Sequence, residues 1–227
     1  MIMNKTLFNN LHKLTIKDCF DLYIHKSNNY NYKFKNEKIE VSGFGYYDKK
    51  YPKQGDHRFY LELSIEQRKE GETLAVIMMN PSNTFPEIEE RESTVDDTVK
   101  NIIRMAYKLK KYNRIIILNS FSLISGTIKN IKEDDCQTKN LEIINSFINT
   151  NKEIDYLLAW GSKAVDIDNI KNYLKNIDGR RIFVYKMTLK KAPCHPSIRV
   201  ENRYKYVSEF LNQHDEKSSF IPYKIIN

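Results

Sequence analysis

The sequence has no hydrophobic run that approaches the about 18–20 uncharged residues of a membrane span, and residues 1–10 contain no apolar segment of signal-peptide length. It has only 3 cysteines, Cys19, Cys136 and Cys194, an odd number without paired spacing. This pattern favours reduced thiols over a disulfide framework. We therefore expect a cytoplasmic protein that makes no membrane contact.

The sequence also lacks the short motifs of several enzyme classes. No GxSxG nucleophile elbow, HExxH zinc motif, GxxxxGK[ST] phosphate loop or GxGxxG dinucleotide fingerprint occurs. We therefore expect neither a bound metal nor a cofactor. With 7 glycines and 6 prolines in 227 residues, and with 41% hydrophobic and 29% charged residues, the composition is that of an ordinary globular chain.

Positive charge is present in excess and is unevenly distributed. The net charge is +8, with +5 in residues 1–58, −3 in residues 59–178 and +6 in residues 179–227. If the two basic ends converge in the fold, they form a positive face suited to a polyanion such as nucleic acid. A lysine-rich surface that only favours solubility fits the same numbers, and the charge alone leaves both interpretations open.

Hydrophobic strands alternate with helices along most of the chain. The predicted strands span residues 73–79, 114–118, 154–160 and 181–187, and the predicted helices span residues 94–111, 134–150, 164–176 and 201–213. Uninterrupted apolar runs are typical of strands buried on both faces of a parallel sheet. The pattern predicts an α/β fold: a three-layer α/β/α domain around a central, mainly parallel four-stranded sheet.

Residues 1–56 form a basic, aromatic-rich N-terminal extension, and we place the main domain at residues 57–227. Residues 28–56 are rich in tyrosine and lysine, and part of this segment alternates like a β-hairpin. Its aromatic side chains suit stacking on single-stranded bases and equally suit a half-buried hairpin, and both interpretations stay open. Residues 58–65 also alternate and predict a further strand.

Polar motifs follow the four buried strands. They are Asn80-Pro81-Ser82, Asn119-Ser120, Gly161-Ser162 and His195-Pro196-Ser197. Ligands of parallel α/β sheets bind beyond the carboxyl ends of the strands. We therefore expect Asn80, Asn119 and His195 around one crevice.

These side chains suit the breaking of an N-glycosidic bond to a nucleobase, in which the sugar becomes cation-like and the base leaves as an anion. The reaction needs a polar group that holds water, a donor to the negative charge on the base, and an amide that reads the edge of the flipped base. We expect Asn80, His195 and Asn119, respectively, in these roles. Turn-forming asparagines and a structural histidine are the alternatives.

The same motifs resemble those of the uracil-DNA glycosylase superfamily. The matching segments, in superfamily order, are Asn80-Pro81-Ser82, residues 115–119 (IIILN), residues 157–161 (LLAWG) and His195-Pro196-Ser197-Ile198-Arg199. The first is nearest to the Asn-Pro branch found in mismatch-specific and single-strand-selective enzymes. The resemblance implies a monofunctional DNA glycosylase in which Asn80 and His195 are catalytic and Asn119 binds the base.

The chain as a whole also resembles a bacterial and phage family of unknown function. The pattern of that family is Asn-Pro-Ser, Asp-x-Thr at a helix start, Asn-Leu-Phe, Trp-Gly and His-Pro. Here the second motif is Asp96-Asp97-Thr98, and the third is Asn119-Ser120-Phe121.

The resemblance implies three further groups of site residues: contacts to the DNA backbone, aromatic rings that stack on the base, and polar groups of the pocket. The contacts to the DNA backbone are Ser82, Ser197 and Arg199, the stacking rings are Phe85 and Phe121, and the polar groups of the pocket are Asp96 and Thr98. The superfamily has glycine beside its Asn-Pro pair, where this sequence has Met78, Met79 and Ser82. The pocket therefore differs in shape, and a larger, modified pyrimidine is a candidate beside uracil.

Three functions remain open on the sequence. The first is release of a uracil-like or modified pyrimidine base from single- or double-stranded DNA, by a monomer that serves repair or anti-phage defence. The second is a non-catalytic module of the same fold that binds nucleic acid or a nucleotide. The third is an N-glycosidase that acts on free nucleosides or nucleotides.

Overall fold

The computed structural model describes residues 22–34, 37–81, 96–125, 135–161, 175–189, 191–196, 201–212 and 219–223. The strands in these ranges are β1 (Tyr23–Phe34), β2 (Glu37–Tyr47), β3 (Arg58–Ile65), β4 (Glu72–Met78), β5 (Tyr112–Asn119), β6 (Asp155–Leu158), β7 (Arg181–Val184) and β8 (Ile221–Pro222). The helices are α1 (Asp97–Lys108), α2 (Asp135–Thr150) and α3 (Glu201–Asn212), and a helical turn spans 175–177. Most of the helix predicted at 164–176 lies outside the described residues.

All eight strands belong to one sheet, in the order β1-β2-β3-β5-β4-β6-β7-β8. The neighbours within the group β5-β4-β6-β7 are parallel, whereas the other four of the seven strand pairs are antiparallel. The prediction of a mainly parallel four-stranded sheet is therefore wrong in strand number and in the prevailing direction. The physical reason is that antiparallel strands need no crossover helix, so the segments at both ends of the chain extend the sheet along its edges.

The hairpin predicted within residues 28–56 is confirmed, because β1 and β2 pair antiparallel. β2 in turn pairs with β3. Ile39 and Val41 of β2 are fully buried in the same core as Leu63 of β3. Residues 37–47 are thus an integral part of the sheet, although the sequence places them in an extension.

Side chains of the central strands alternate between two hydrophobic cores, as the two-residue period of a strand requires. Leu74 and Val76 of β4 pack in a core to which α1 and α3 contribute, whereas Ala75 and Ile77 pack in a core to which α2 contributes. Burial on both sides explains why β4 reads as an unbroken apolar run.

A charged network fixes the amino-terminal ends of the central strands. Asp155, the first residue of β6, is fully buried and lies 2.7 Å from Lys111 Nζ and 2.6 Å from Arg181 Nε. The Tyr112 hydroxyl donates to the Asp155 carboxylate at 2.7 Å. The network joins the starts of β5, β6 and β7, and so helps to set the relative positions of their carboxyl ends.

Within the described ranges, no helix has the length and hydrophobicity of a membrane-spanning segment.

Candidate functional site at the carboxyl ends of the central strands

The carboxyl ends of β5, β4 and β6 lie side by side. Asn119, the last residue of β5, is the register partner of Met78, the last residue of β4. The N–H of Ala159, one residue after β6, donates to the Ile77 carbonyl of β4 at 2.9 Å. The motifs that contain Asn80, Asn119 and Gly161 therefore begin within three residues of the ends of neighbouring strands.

Asn119 is fully buried, and neither its side-chain nitrogen nor its side-chain oxygen has a hydrogen-bond partner in the described part of the chain. Its backbone carbonyl accepts a hydrogen bond from Asn140 Nδ2 of α2 at 2.9 Å. Since side chains alternate along β5, the Asn119 amide lies on the face of Ile115 and Ile117, whose core includes α1. A buried polar group without a partner is unfavourable by about 1–3 kcal/mol, a penalty that a hydrogen-bonding ligand would remove.

Asn80 lies two residues after β4 and is half-buried. Its Nδ2 donates to the Ser125 carbonyl, in the segment after β5, and to the Pro81 carbonyl at 3.4 Å. The Ser125 N–H donates back to the Pro81 carbonyl at 3.4 Å. These contacts join the segments after β4 and β5 and orient the Asn80 amide, whose Oδ1 is the atom suited to accept a hydrogen bond from water or a ligand.

His195 reaches the same edge of the sheet from a distant part of the sequence. Gly161, three residues after β6, has a φ of +85°, and a Cβ built on it would lie 3.2 Å from His195 Cβ. The Gly161 N–H donates to the Pro193 carbonyl at 2.9 Å, and the Tyr185 hydroxyl donates to the His195 carbonyl at 3.0 Å. The half-buried His195 is thereby fixed beside the end of β6.

Helix α1 is hydrogen-bonded to the segment that contains His195 and Pro196, here called the histidine segment. Two of the predicted pocket residues, Asp96 and Thr98, lie at the start of this helix. The buried Asn101 side chain donates to the Pro196 carbonyl at 2.9 Å. The Asp96 carboxylate accepts hydrogen bonds from the N–H groups of Thr98 at 2.7 Å and Val99 at 3.0 Å, and so caps the helix. Asp96 therefore has a structural role at the helix start, and a contact with a ligand would be additional to it.

Phe121, predicted to stack on a base, is 9% exposed and packs in the core to which α2 contributes. Asn119, the last residue of β5, lies on the other face of the sheet, with Ile115 and Ile117. Phe121 follows the end of β5, where strand alternation no longer applies, so the structure does not direct these two side chains to one place. The predicted residues Ser82, Phe85, Ser197 and Arg199 lie outside the described residues.

Buried amides on the helices support the site, and the sequence interpretation did not single them out. Besides Asn101 and Asn140, Gln137 of α2 donates from Nε2 to the Ser120 carbonyl at 2.8 Å. Gln137 and Asn140 share the buried stripe of α2 that continues at Ile144. Amides within an apolar helical stripe indicate buried hydrogen bonds, and this spacing is the feature from which they could have been predicted.

Comparison with curated proteins and with solved structures gives no significant match. A family model, DUF1643, described as a protein of unknown function, matches residues 58–197. The matched region begins at the first residue of β3 and contains the central strands together with Asn80, Asn119 and His195. It spans more than half of the chain, and the chain therefore belongs to the DUF1643 family.

Proposed function

We propose that the central part of the molecule is a three-layer α/β/α domain of the uracil-DNA glycosylase type. In support, α2 contributes to the core on one face of the parallel strands, and α1 and α3 contribute to the core on the other face. The parallel order β5-β4-β6-β7 also gathers the strand-end motifs at one edge. On this interpretation β1, β2, β3 and β8 are additions along the two edges of the sheet.

We propose further that the chain hydrolyses the N-glycosidic bond of a uracil-like or modified pyrimidine base in DNA. The observation that carries this proposal is the fully buried Asn119 amide, which lacks a hydrogen-bond partner among the described residues. A primary amide presents a donor and an acceptor side by side, which complements an N–H next to a carbonyl on a pyrimidine edge. A ligand of this kind satisfies both atoms, whereas an apolar ligand satisfies neither.

Asn80 and His195 supply the other two roles in the proposed reaction. Asn80 holds a water molecule that attacks C1′ of the sugar, the bond from C1′ to the base nitrogen breaks, and the base takes the electron pair. The proton released by the water ends on the base or in solvent. His195 donates a hydrogen bond to the negative charge on the departing base, a contact worth about 3–4 kcal/mol in the barrier. These steps need no metal and no cofactor.

The proposed partner is DNA, bound by a monomer in the cytoplasm. Residues 179–227, which contain the histidine motif, carry a net charge of +6, and residues 1–58 carry +5. Lysine and arginine side chains that neutralise phosphates release counterions. Binding should therefore weaken steeply as the salt concentration rises.

The test is base release from oligonucleotides that contain uracil, hydroxymethylated or glucosylated pyrimidines, in single and double strands. After incubation, heating in alkali converts abasic sites to strand breaks. We expect breaks with at least one of these bases.

Asn80→Ala and His195→Ala should each lower the rate at least about 100-fold, while DNA binding persists. Asn119→Ala should weaken the reaction, whereas Asn113→Ala, at the other end of β5, is the matched control and should leave the rate unchanged.

A non-catalytic nucleic-acid or nucleotide-binding module is the second candidate. It is favoured by the hydrogen bond that commits Asn80 Nδ2 to the Ser125 carbonyl, and by Met78, Met79 and Ser82 at positions where the superfamily has glycine. This candidate predicts DNA binding without strand breaks for every base tested. Turnover of free nucleosides would instead identify an N-glycosidase, and full activity of both alanine variants would refute the proposed mechanism.

A further inference from the structure

We propose that Asp48, His57 and Cys136 form a binding site for a divalent transition metal ion of the zinc class. The carboxylate, imidazole and thiol atoms that would bind the ion all lie within 4.8 Å of one another, and all three residues are half-buried. This site is independent of the proposed glycosylase chemistry. The sequence did not predict it, because the residues stand far apart and match no metal-binding spacing.

The connection between β2 and β3 supplies two of the ligands and holds them in place. Asp48 follows β2 directly and His57 precedes β3 directly. The His57 N–H donates to Asp48 Oδ1 at 2.8 Å, and the Asp48 N–H donates to the His57 carbonyl at 3.2 Å. Folding of the sheet therefore places a carboxylate beside an imidazole before any ion arrives.

The imidazole ring of His57 is oriented by its surroundings. The Ser122 hydroxyl lies 2.8 Å from His57 Nδ1, and the Phe59 ring stacks against the imidazole with an interplanar angle of 18°. Metal-binding histidines are commonly oriented by a hydrogen bond of this kind to a neighbouring group. The ring therefore loses little conformational freedom when it binds an ion.

Helix α2 brings the third ligand. Cys136 is the second residue of α2, and its neighbour Gln137 donates to the Ser120 carbonyl at 2.8 Å. That hydrogen bond docks the start of the helix onto the segment after β5. The amino-terminal turn of a helix also favours negative charge, and a metal-bound cysteine is a thiolate.

The three ligand types select the ion. Thiolate and imidazole suit zinc and its first-row neighbours, whereas magnesium and calcium prefer oxygen ligands throughout. Zinc bonds of about 2.0–2.3 Å in a tetrahedral site put ligand atoms about 3.3–3.7 Å apart. The distances between the ligand atoms therefore need to shorten by about 1.5 Å or less, which small side-chain rotations can supply. Three protein ligands leave one position for water or a small anionic ligand, as in catalytic zinc sites.

The experiment is titration of the full chain, stripped of metal by a chelator, with Co²⁺ as a spectroscopic substitute for Zn²⁺. We expect one equivalent of Co²⁺ to produce a thiolate-to-cobalt charge-transfer band that Zn²⁺ then removes by displacement. Cys136→Ser should abolish the band. Asp48→Asn and His57→Gln should each weaken binding more than about 10-fold, because even residues that only orient a ligand contribute 10–100-fold.

Two controls separate this site from other ligands of the chain. Cys194→Ala removes a cysteine that is buried elsewhere, and Asp135→Asn removes an exposed charge next to Cys136; both should retain the band. Circular dichroism of each metal-free variant confirms that it is folded. Absence of the band in the unmodified chain, or a band that survives Cys136→Ser, would overturn the proposal.

Discussion

Two buried asparagines that meet at the end of β5 have different energetic roles. The Asn140 amide donates to the Asn119 carbonyl at 2.9 Å and so satisfies a buried backbone acceptor. Among the described residues neither polar atom of the fully buried Asn119 side chain has a partner, whereas in Asn140 only Oδ1 lacks one. A buried polar group without a protein partner calls for an explanation such as a ligand, an ion or an ordered water. The proposed base would satisfy the Asn119 amide and so remove this unfavourable contribution to stability.

This contrast predicts opposite effects for one substitution at two positions. Asn119→Leu replaces the unpaired amide by an apolar side chain of similar branched shape, and should raise the free energy of unfolding by about 1 kcal/mol while it abolishes base release. Asn140→Leu leaves a buried carbonyl without its donor and should lower the free energy of unfolding by about 1–3 kcal/mol. Urea denaturation of both variants measures the difference. A destabilised Asn119→Leu would show that the Asn119 amide has a structural partner.

At the scale of elements, the junction between β6 and the histidine segment depends on a glycine. Gly161 has a φ of +85°, a region that L-residues rarely adopt, and its Cα hydrogen faces His195. A side chain here would meet two obstacles, the backbone conformation and the His195 Cβ at 3.2 Å. The short approach lets the segment that ends in His195 pack against the carboxyl end of β6.

Gly161→Ala should therefore affect both stability and the site. We expect the free energy of unfolding to fall by about 1–2 kcal/mol because of the positive φ, and the rate of base release to fall more than DNA binding because His195 moves. Gly179→Ala is the matched control: its φ is +74°, but a Cβ there meets nothing within 4 Å. Gly179→Ala should lower the free energy of unfolding by a similar amount and leave the rate of base release unchanged. Equal activity of the two variants would contradict the positioning of His195 by Gly161.

At the scale of the whole molecule, several buried tyrosines link stability to alkaline pH. Burial, and secondarily the charge of Glu62, raises the pKa of Tyr46 to about 12. Burial also raises the pKa of Tyr60, Tyr112 and Tyr156. In the unfolded chain a tyrosine has a pKa of about 10. The folded molecule thus holds these protons more tightly, and the associated stability is complete below pH 10 and is lost as the pH rises through the folded pKa values.

Tyr46→Phe tests this linkage because it keeps the ring and removes the titrating hydroxyl. The free energy of unfolding should decrease between pH 10 and 12 in both proteins, and this decrease should be about 2–3 kcal/mol smaller in the variant. Tyr51→Phe is the control, since Tyr51 is 49% exposed. Chemical denaturation at several pH values measures both curves, and identical slopes for Tyr46→Phe and the unmodified chain would refute the linkage.

Part of this fold could be predicted residue by residue. The runs at 73–79 and 114–118 are strands β4 and β5, and the periodic segment at 134–150 is helix α2. These elements follow from local hydrophobic spacing, which needs no knowledge of distant residues. The number of strands and their prevailing direction were predicted wrongly, because pairing of β3 with β5, and of β7 with β8, depends on contacts between distant parts of the chain.

The sequence alone determined that amides and an imidazole follow buried strands, because strand ends are marked by an abrupt change from apolar to polar residues. Only the tertiary structure decided what these groups can do. In the structure the Asn119 amide has no hydrogen-bond partner among the described residues, and the Asn80 amide donates to the Ser125 carbonyl. Phe121 packs in the core to which α2 contributes. The tertiary structure also gathered Asp48, His57 and Cys136. The physical reason is that hydrogen bonding and ligand geometry depend on distances in space, which separation along a chain does not encode.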